Sequence, residues 1–374
     1  MRDHEPVVHI ELDHPILIDS VWVVSRHEDI SAIDRDPQTW ASNIKHPLIW
    51  NYAPLDPQTK PGLIVQDGDE HKTKRAMVGR GFRPARVQQL EQTFRKYAKQ
   101  VVDVALEKRE INFVDDVAHL MPVQALGDIL GVPEADRAQF FTWVDTFASP
   151  FDERVATAPE KVGQALMELW SYGLDQVRQR DAAPTDDVFN QIAEMHVGDD
   201  EVQGNVALFA SGAAETTRAA LCHGMHELMR NPEQMAWLRE RQHDIPPTVA
   251  QEFVRIGNAI ISLCRVATRD VELHGRTIRE GEQVAMLFAA GNFDERALEN
   301  PRAFDLARDP NPHLGFGRGV HACLGKHVAA LEMKVLLEEL FTRTKEIRPT
   351  GEIDYLKDNY SRGVYSLPVE LIPA

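Results

Sequence analysis

The chain has 374 residues, 43% of them hydrophobic and 26% charged, enough apolar material for a large core and no bias toward a disordered, fibrous or membrane-spanning class. Lysine and arginine total 41 against 58 aspartates and glutamates, a formal charge of -17, so the surface repels phosphate backbones and speaks against nucleic acid as a partner. Three cysteines, Cys222, Cys264 and Cys323, are too few and too scattered for a disulfide framework or a four-cysteine zinc site, which fits a reducing cytoplasm.

The N-terminal stretch M-R-D-H-E-P-V-V-H-I-E-L-D-H-P is broken by charges and prolines. It reads as neither a signal peptide nor a spanning helix, and no membrane anchor is expected. V-V-H-I-E-L (7 to 12) and S-V-W-V-V-S (20 to 25) have the valine and isoleucine content of strands and flank an Asp-His-Pro turn, predicting a hairpin. From Ser42 to Asp67 runs a loop with Pro47, Pro54, Pro57 and Pro61 among Trp50, Tyr52 and Leu63; a loop of that length in a compact domain is usually a binding element or disordered. D-G-D-E-H-K-T-K-R then sets His71 and Arg75 four residues apart, on one helical face.

Helical patterns dominate from about residue 85 to 240, including V-Q-Q-L-E-Q-T-F-R-K-Y-A-K-Q-V-V-D-V-A-L and A-L-M-E-L-W-S-Y-G-L, with a break at Ala183-Pro184-Thr185-Asp186-Asp187. One predicted helix runs from Glu201 to Arg230 and is closed by Asn231-Pro232. Ala210, Ser211, Gly212, Ala213 and Ala214 strip its middle of bulk, which would let a flat ligand approach the helix. Glu215 follows among alanines, where an unpaired carboxylate is costly, and then Thr216. In Q-E-F-V-R, Glu252 and Arg255 stand three apart, an ordinary helical ion-pair spacing. Strand signals return at V-E-L-H-G-R-T-I (271 to 278), at Q-V-A-M-L-F-A (283 to 289) and weakly at the C-terminus. The sum is mainly α with a small β region. The strands are expected at about 1–30, 265–290 and 350–374, and the helices at about 70–260 and 322–345. No linker or repeat divides the chain, so a single domain is expected.

H-L-G-F-G-R-G-V-H-A-C-L-G-K-H-V-A-A-L places Cys323 between a glycine-rich loop and a helical pattern. The thiol has four readings: buried core residue, nucleophile, zinc ligand, or ligand of haem or an iron–sulfur cluster. A nucleophile needs a base, and His321, two residues away, is poorly aimed on an extended segment; zinc and iron–sulfur sites need further thiolates or histidines. Gly315, Gly317, Gly319 and Gly325 favour a tight loop whose amides face one point, and a following helix N-terminus favours a thiolate. Cys323 is thus suited to a metal that brings its own remaining ligands, as haem does.

F-G-R-G-V-H-A-C-L-G, Phe316 to Gly325, resembles the haem-binding signature of the cytochrome P450 family, matching every defining position. The resemblance implies the cytochrome P450 fold, one large helical domain around haem b, with Cys323 as axial ligand of the iron and Phe316, Gly317 and Gly325 shaping its loop. It implies that His71, Arg75, Arg265 and His321 hold the haem propionates. Glu252, Arg255 and Arg308 would form a structural group holding the cysteine loop. Glu215 and Thr216 would be the acid and alcohol that supply protons beside the oxygen-binding site. Relative to the family, the chain looks shortened at its N-terminus.

The implied activity is insertion of one oxygen atom from O2 into a C–H bond. No flavin or nicotinamide fingerprint occurs here, so electrons would come from NAD(P)H indirectly, through an acidic ferredoxin and its reductase. Lys72, Lys74, Arg80, Arg83, Arg86, Arg318 and Lys326 are the candidate docking charges. The resemblance draws the substrate pocket from Leu48, Ile49, Trp50 and Tyr52, from Phe140, Trp143 and Phe147, from Leu208, Phe209 and Gly212, from Ile260, Ile261 and Leu263, and from Val364. These are mostly bulky and apolar, pointing to a hydrophobic small molecule: a terpenoid, steroid or long-chain lipid. Two alternatives stand beside this reading, a peroxide-driven haem-thiolate enzyme and a non-catalytic haem-thiolate sensor or binding protein; the Glu215–Thr216 pair argues for oxygen and a reductase.

Overall fold

The computed structural model describes residues 2–50 and 62–374; Tyr52, Pro54, Pro57 and Pro61 of the proline-rich loop lie outside them. β1 (Val7–Glu11) and β2 (Ser20–Val24) form the expected antiparallel hairpin, with Val7 opposite Val24. They lead into α1 (His27–Arg35) and the short β3 (Trp40–Ala41). Helices then follow in close succession: α2 (Gly68–Val78), α3 (Pro84–Gln89) and α4 (Glu91–Lys108). The pattern read as one helix from Val87 is therefore two, parted at Leu90.

A short β4 (Glu110–Asn112) and a π turn (Val114–Ala118) precede α5 (Leu120–Leu130). Next come α6 (Glu134–Ala148), α7 (Pro159–Ala182), α8 (Val188–Ala193), α9 (Asp199–Arg230), α10 (Pro232–Arg239) and α11 (Pro247–Gly257). Local chemistry explains these limits. Proline opens α3, α7, α10 and α11, where its missing N–H costs nothing. The Asp187 carboxylate accepts from the Asn190 amide to cap α8. Gly131 and Asn258 end α5 and α11 in the left-handed region.

The remainder comprises β5 (Ser262–Ala267), β6 (Val271–Leu273), β7 (Arg276–Ile278), β8 (Gln283–Leu287), α12 (Phe288–Gly291), α13 (Lys326–Arg343), β9 (Thr344–Pro349), β10 (Asp354–Tyr355), β11 (Val364–Ser366) and β12 (Pro368–Pro373). The stretch 271–278, expected as one strand, is a two-stranded hairpin. His274 (φ 51°) and Gly275 (φ 74°) are both left-handed, the geometry of a tight reversal that matches strand twist.

Sheet order is β1-β2-β8-β5-β3, with β2 and β8 parallel and the other pairs antiparallel. A second sheet, β4-β12-β9, ties the chain's end to the helical region. Two cores result. The larger is helical, running through Phe94, Phe113, Leu169, Leu221 and Leu336; the smaller packs Val24, Ile30, Val284 and Met286 under the first sheet. Leu314 belongs to the sheet core, whereas Phe316 and Leu324 pack against the helical one. The cysteine loop therefore crosses the seam between the two.

At 32 residues, α9 is about 48 Å long and packs against α5, α6, α7, α10 and α11. Small residues permit its approach to α11: a Cβ on Gly224 would stand 2.1 Å from the ring of Phe253, and one on Gly257 would be 3.0 Å from Ala220 Cα. Gly224→Ala should therefore destabilise the protein by about 1–3 kcal/mol through overpacking, although alanine in a helix ordinarily gains ~1 kcal/mol over glycine. Urea unfolding of the two proteins decides between these signs.

Candidate active site

The cysteine loop is closed by contacts that only glycine allows. Gly317 and Gly319 both take φ 62°, and a Cβ on Gly319 would lie 2.4 Å from the carbonyl oxygen of Asp34. Gly315 is equally confined, with Val254 Cγ1 2.6 Å from where its Cβ would be. The Cys323 amide donates to the Phe316 carbonyl at 2.8 Å, drawing the loop shut. Backbone amides of Gly325 and Lys326 point at the sulfur and, with the charges of Arg75 and Lys326, favour the thiolate; burial opposes them, and the thiol is pushed up. Burial thus outweighs the loop amides and helix N-terminus expected to keep Cys323 anionic. α13 begins at Lys326, so the first amides of that helix already face the sulfur, and a bound metal cation would hold the anion against the remaining desolvation. Cys323 is nonetheless exposed: protein crowds its flanks while the residue faces open space.

Glu252 and Arg255 are fully buried. Arg255 Nε and Nη2 donate to the two Glu252 oxygens at 2.8 and 2.6 Å, and the remaining donors reach the carbonyls of Asn292, Pro301 and Ala303. Arg308 Nε stands 3.4 Å from Glu252 Oε2, and its terminal nitrogens bind the carbonyls of Glu299, Asn300 and Ala303. The structure thus brings the three predicted residues together, and they fix residues 292–308, which lead into the cysteine loop.

His71, 1% exposed, stacks on His321 with ring centroids 4.4 Å apart. Neither of its ring nitrogens has a partner among the described residues. Burial first, then the neighbouring His321 and Arg75, bring its pKa down to about 4. His321 Nε2 lies 3.1 Å from Asp67 Oδ1 and 3.2 Å from Ser42 Oγ. Arg75 bonds the Ala322 carbonyl, beside the cysteine. Arg265 is engaged elsewhere: it donates to Asp34 Oδ1 at 2.8 Å and the Cys264 carbonyl at 2.9 Å, while Asp34 Oδ2 accepts from the Arg318 amide at 2.6 Å. An anionic group beside the loop would therefore meet His71, Arg75 and His321, and Arg265 holds α1 against β5.

Opposite features lie on α9. Gly212 is exposed in mid-helix, between buried Ala210 and buried Ala214, and a Cβ there would touch none of the described residues within 4 Å. Ser211 and Thr216 donate back to the carbonyls of Ala207 and Gly212, a habit that bends helices. Glu215 is buried and bonded to Arg218. Of the residues expected to line a substrate pocket, Leu48, Trp50, Phe147, Leu208, Ile260 and Ile261 are half-buried, whereas Phe209 and Val364 are buried in the helical core. Trp50 donates to Asn359 Oδ1 at 2.7 Å and meets Phe151 edge-on.

The donor set fits haem. Among the described residues no group of three or more histidine, cysteine or acidic side chains can hold a bare metal ion, so Cys323 suits a metal arriving with its own ligands. The orphaned nitrogens of His71 want an anion, and open space flanks Gly212. The family model for Cytochrome P450 matches residues 120–346, more than half of the chain. The chain belongs to the cytochrome P450 family. It is a cytochrome P450 monooxygenase, and the family's use of haem and O2 extends to it. A steroid C26-monooxygenase of Rhodococcus jostii (strain RHA1) is 32% identical over 363 residues, 94% of this chain and 76% of that protein. A methyl-branched lipid omega-hydroxylase of Mycobacterium tuberculosis (strain ATCC 25618 / H37Rv) is 29% identical, covering 96% of this chain and 86% of that protein. Among solved structures, Mycobacterium marinum cytochrome P450 CYP268A2 in complex with pseudoionone superposes with a TM-score of 0.92 at 30% identity, over 99% of this chain and 92% of that one. No helix among the described residues of this cytochrome P450 is long and apolar enough to cross a membrane.

Of the seven candidate docking charges, Lys74 is corrected outright. It is buried, bonded to both oxygens of Glu201 at 2.6 and 2.7 Å and to Glu70 at 2.8 Å. Lys72, Arg80 and Arg86 pair with Asp69, Glu194 and Asp186, and Arg318 serves the carbonyls of its own loop. Arg83 and Lys326 are exposed. Sequence reasoning missed Asp34, Asp67 and Arg218. Only the last had a local signal, its i,i+3 spacing from Glu215.

Two outcomes follow. Glu252→Ala strands a fully buried guanidinium and should cost about 3–5 kcal/mol, read as a loss in urea midpoint together with weakened haem retention. In haem-free protein His71 sits at about 4 against an ordinary 6.5; between those values the unfolded chain binds a proton the folded chain does not, so stability falls as pH is lowered through that window. His71→Phe should reduce that slope by the share of one histidine, measured by urea melts at pH steps, with His46, His223 and His313 supplying the rest, and should leave the slope above the window as it is in the parent protein.

Proposed function

We propose that this cytochrome P450 hydroxylates a steroid or long-chain lipid, drawing electrons from an acidic ferredoxin and its reductase, and so indirectly from NAD(P)H. The balance is RH + O2 + two electrons + two protons → ROH + water. Haem b on Cys323 supplies the oxygen activation and C–H oxidation, which a thiolate ligand favours by donating electron density. The chain's own residues bind, orient and protonate. His71, Arg75 and His321 take the propionates, an assignment supported by the unsatisfied nitrogens of His71. Amides of Gly325 and Lys326 stabilise the sulfur as an anion. Thr216 and Glu215 hold protons on α9 at the oxygen side, and half-buried Leu48, Trp50, Phe147 and Leu208 exclude water.

The observation that carries this reading is Gly212, exposed in the middle of an otherwise buried helix one turn from a buried acid. The names of the Rhodococcus and Mycobacterium relatives support the substrate class, since steroids and methyl-branched lipids share an extended apolar body. For the electron donor, Arg83 and Lys326 are exposed and have no ion pair among the described residues, whereas the equally exposed Lys72 and Arg80 are paired; the turn before Arg83 lies against the cysteine loop, with Leu324 3.6 Å from where a Gly79 Cβ would be.

The test is spectroscopic. The reduced carbon monoxide complex should carry the thiolate signature and lose it in Cys323→Ser; a band at the position of histidine-ligated haem overturns the assignment. Titration with a sterol and a methyl-branched fatty acid should convert the iron toward high spin, and a response to neither removes the substrate class. Reversal to glutamate at Arg83 and Lys326 should slow reduction by an acidic ferredoxin about ten-fold or more at low salt while leaving sterol affinity in place; an unchanged rate rejects that surface.

A further inference from the structure

The buried acid on α9 does not stand alone. Glu215 Oε2 accepts from Arg218 one turn on. Arg218 Nη1 reaches Asp145 Oδ1 of α6 at 3.1 Å and His119 Nδ1, just before α5, at 3.0 Å. The Glu215 and Arg218 side chains are 6% and 9% exposed, but those of His119 and Asp145 are 23% and 25%. One end of the cluster is therefore interior and the other meets water. His119 Nδ1 receives a hydrogen bond from Arg218, which requires a neutral ring protonated on Nε2. Burial holds this histidine below its ordinary range, against the opposing pull of Asp145 and of Asp115 in the π turn.

Two carboxylates compete for one guanidinium, and the arrangement leaves atoms unsatisfied: Glu215 Oε1 and Arg218 Nε have no partner among the described residues. Oε1 faces the backbone at Gly363, where a Cβ would lie 2.6 Å away, so the absence of a side chain at 363 leaves the carboxylate room to turn. A guanidinium keeps its proton, so the cluster is no wire for protons. It is built as a clasp. With Arg218 on Glu215 the acid is an anion drawn toward the seam of α5 and α6. With Arg218 leaning on Asp145 and His119, Glu215 is left buried without counter-charge, and a buried carboxylate so placed takes up a proton.

We propose that Arg218 is a positioning residue that alternates between Glu215 and the Asp145–His119 pair, timing the uptake by Glu215 of protons that enter at the α5–α6 seam. This rests on the monooxygenase reading above, in which turnover with O2 consumes two protons. Hydrogen peroxide brings its own: RH + H2O2 → ROH + water. The two routes therefore separate proton supply from everything else the enzyme must do.

Infrared difference spectra of the haem-loaded protein, with the Glu215 band identified by its loss in Glu215→Gln, read the acid directly. Arg218→Gln should raise the Glu215 midpoint by one pH unit or more, and Arg218→Lys should restore it in part; an unmoved midpoint overturns the proposal. Asp145→Asn leaves Arg218 clasped to Glu215 and should lower O2-driven hydroxylation of the spin-shifting sterol or lipid at least ten-fold relative to peroxide-driven hydroxylation. A parallel fall in both routes means a merely structural pair and rejects the clasp. Wild-type protein that forms product by neither route rejects the monooxygenase reading instead, while the infrared midpoint still decides the coupling of Arg218 to Glu215.

Discussion

A guanidinium with no solvent contact must be answered on every side, and Arg255 is in that position. Its demands organise the proximal half of the molecule. Glu252 supplies the counter-charge from the same helix, and three carbonyls between residues 292 and 303 supply the rest. Glu252 in turn accepts the Asp305 amide and Asn311 Nδ2. Asn292, whose carbonyl serves Arg255, uses its side-chain oxygen to receive the Leu314 amide at 2.6 Å. The position of the sulfur is thereby inherited from α11 through a chain of satisfied polar groups, each costly to strand.

The same economy of buried charge joins the other side of the site. Glu201, in the first turn of α9, binds Lys74 of α2 and accepts from Gln66 at 2.8 Å. The Leu63 amide donates to Asn205 Oδ1 at 3.0 Å. The helix that carries His71 and Arg75 is therefore fastened to the helix that carries Gly212, Glu215 and Thr216. In a chain so acidic overall, the cations are spent where backbone geometry is decided.

What the sequence made legible was whatever chemistry depends on local spacing. Gly315, Gly317 and Gly319 could be read because left-handed backbone or close approach disfavours any other residue there, and Glu252–Arg255 because three positions on a helix put side chains side by side. Valine and isoleucine content on either side of a polar turn located both halves of the first hairpin. Contacts made across the fold had no such trace. Asp34 answers Arg265 and the Arg318 amide from 231 and 284 positions away, and nothing in its neighbourhood announces that task. Lys74 was misread because the sign of a charge does not reveal whether it is buried, and the reversal at His274-Gly275 had one local signal, the glycine that interrupts a strand-like composition.

The seam crossed by the cysteine loop bears on how the molecule comes into being. Leu314 packs with residues of the N-terminal strands, Phe316 and Leu324 with the helices, and Gly319 rests on the backbone of Asp34. Contacts so distant along the chain carry the largest loop-closure cost and form after local structure is in place. The ligand loop is thus shaped only once both cores exist. Cofactor capture then acts as a test of completed assembly: a half-formed chain offers a cysteine, but not the amides and cations that make it a site.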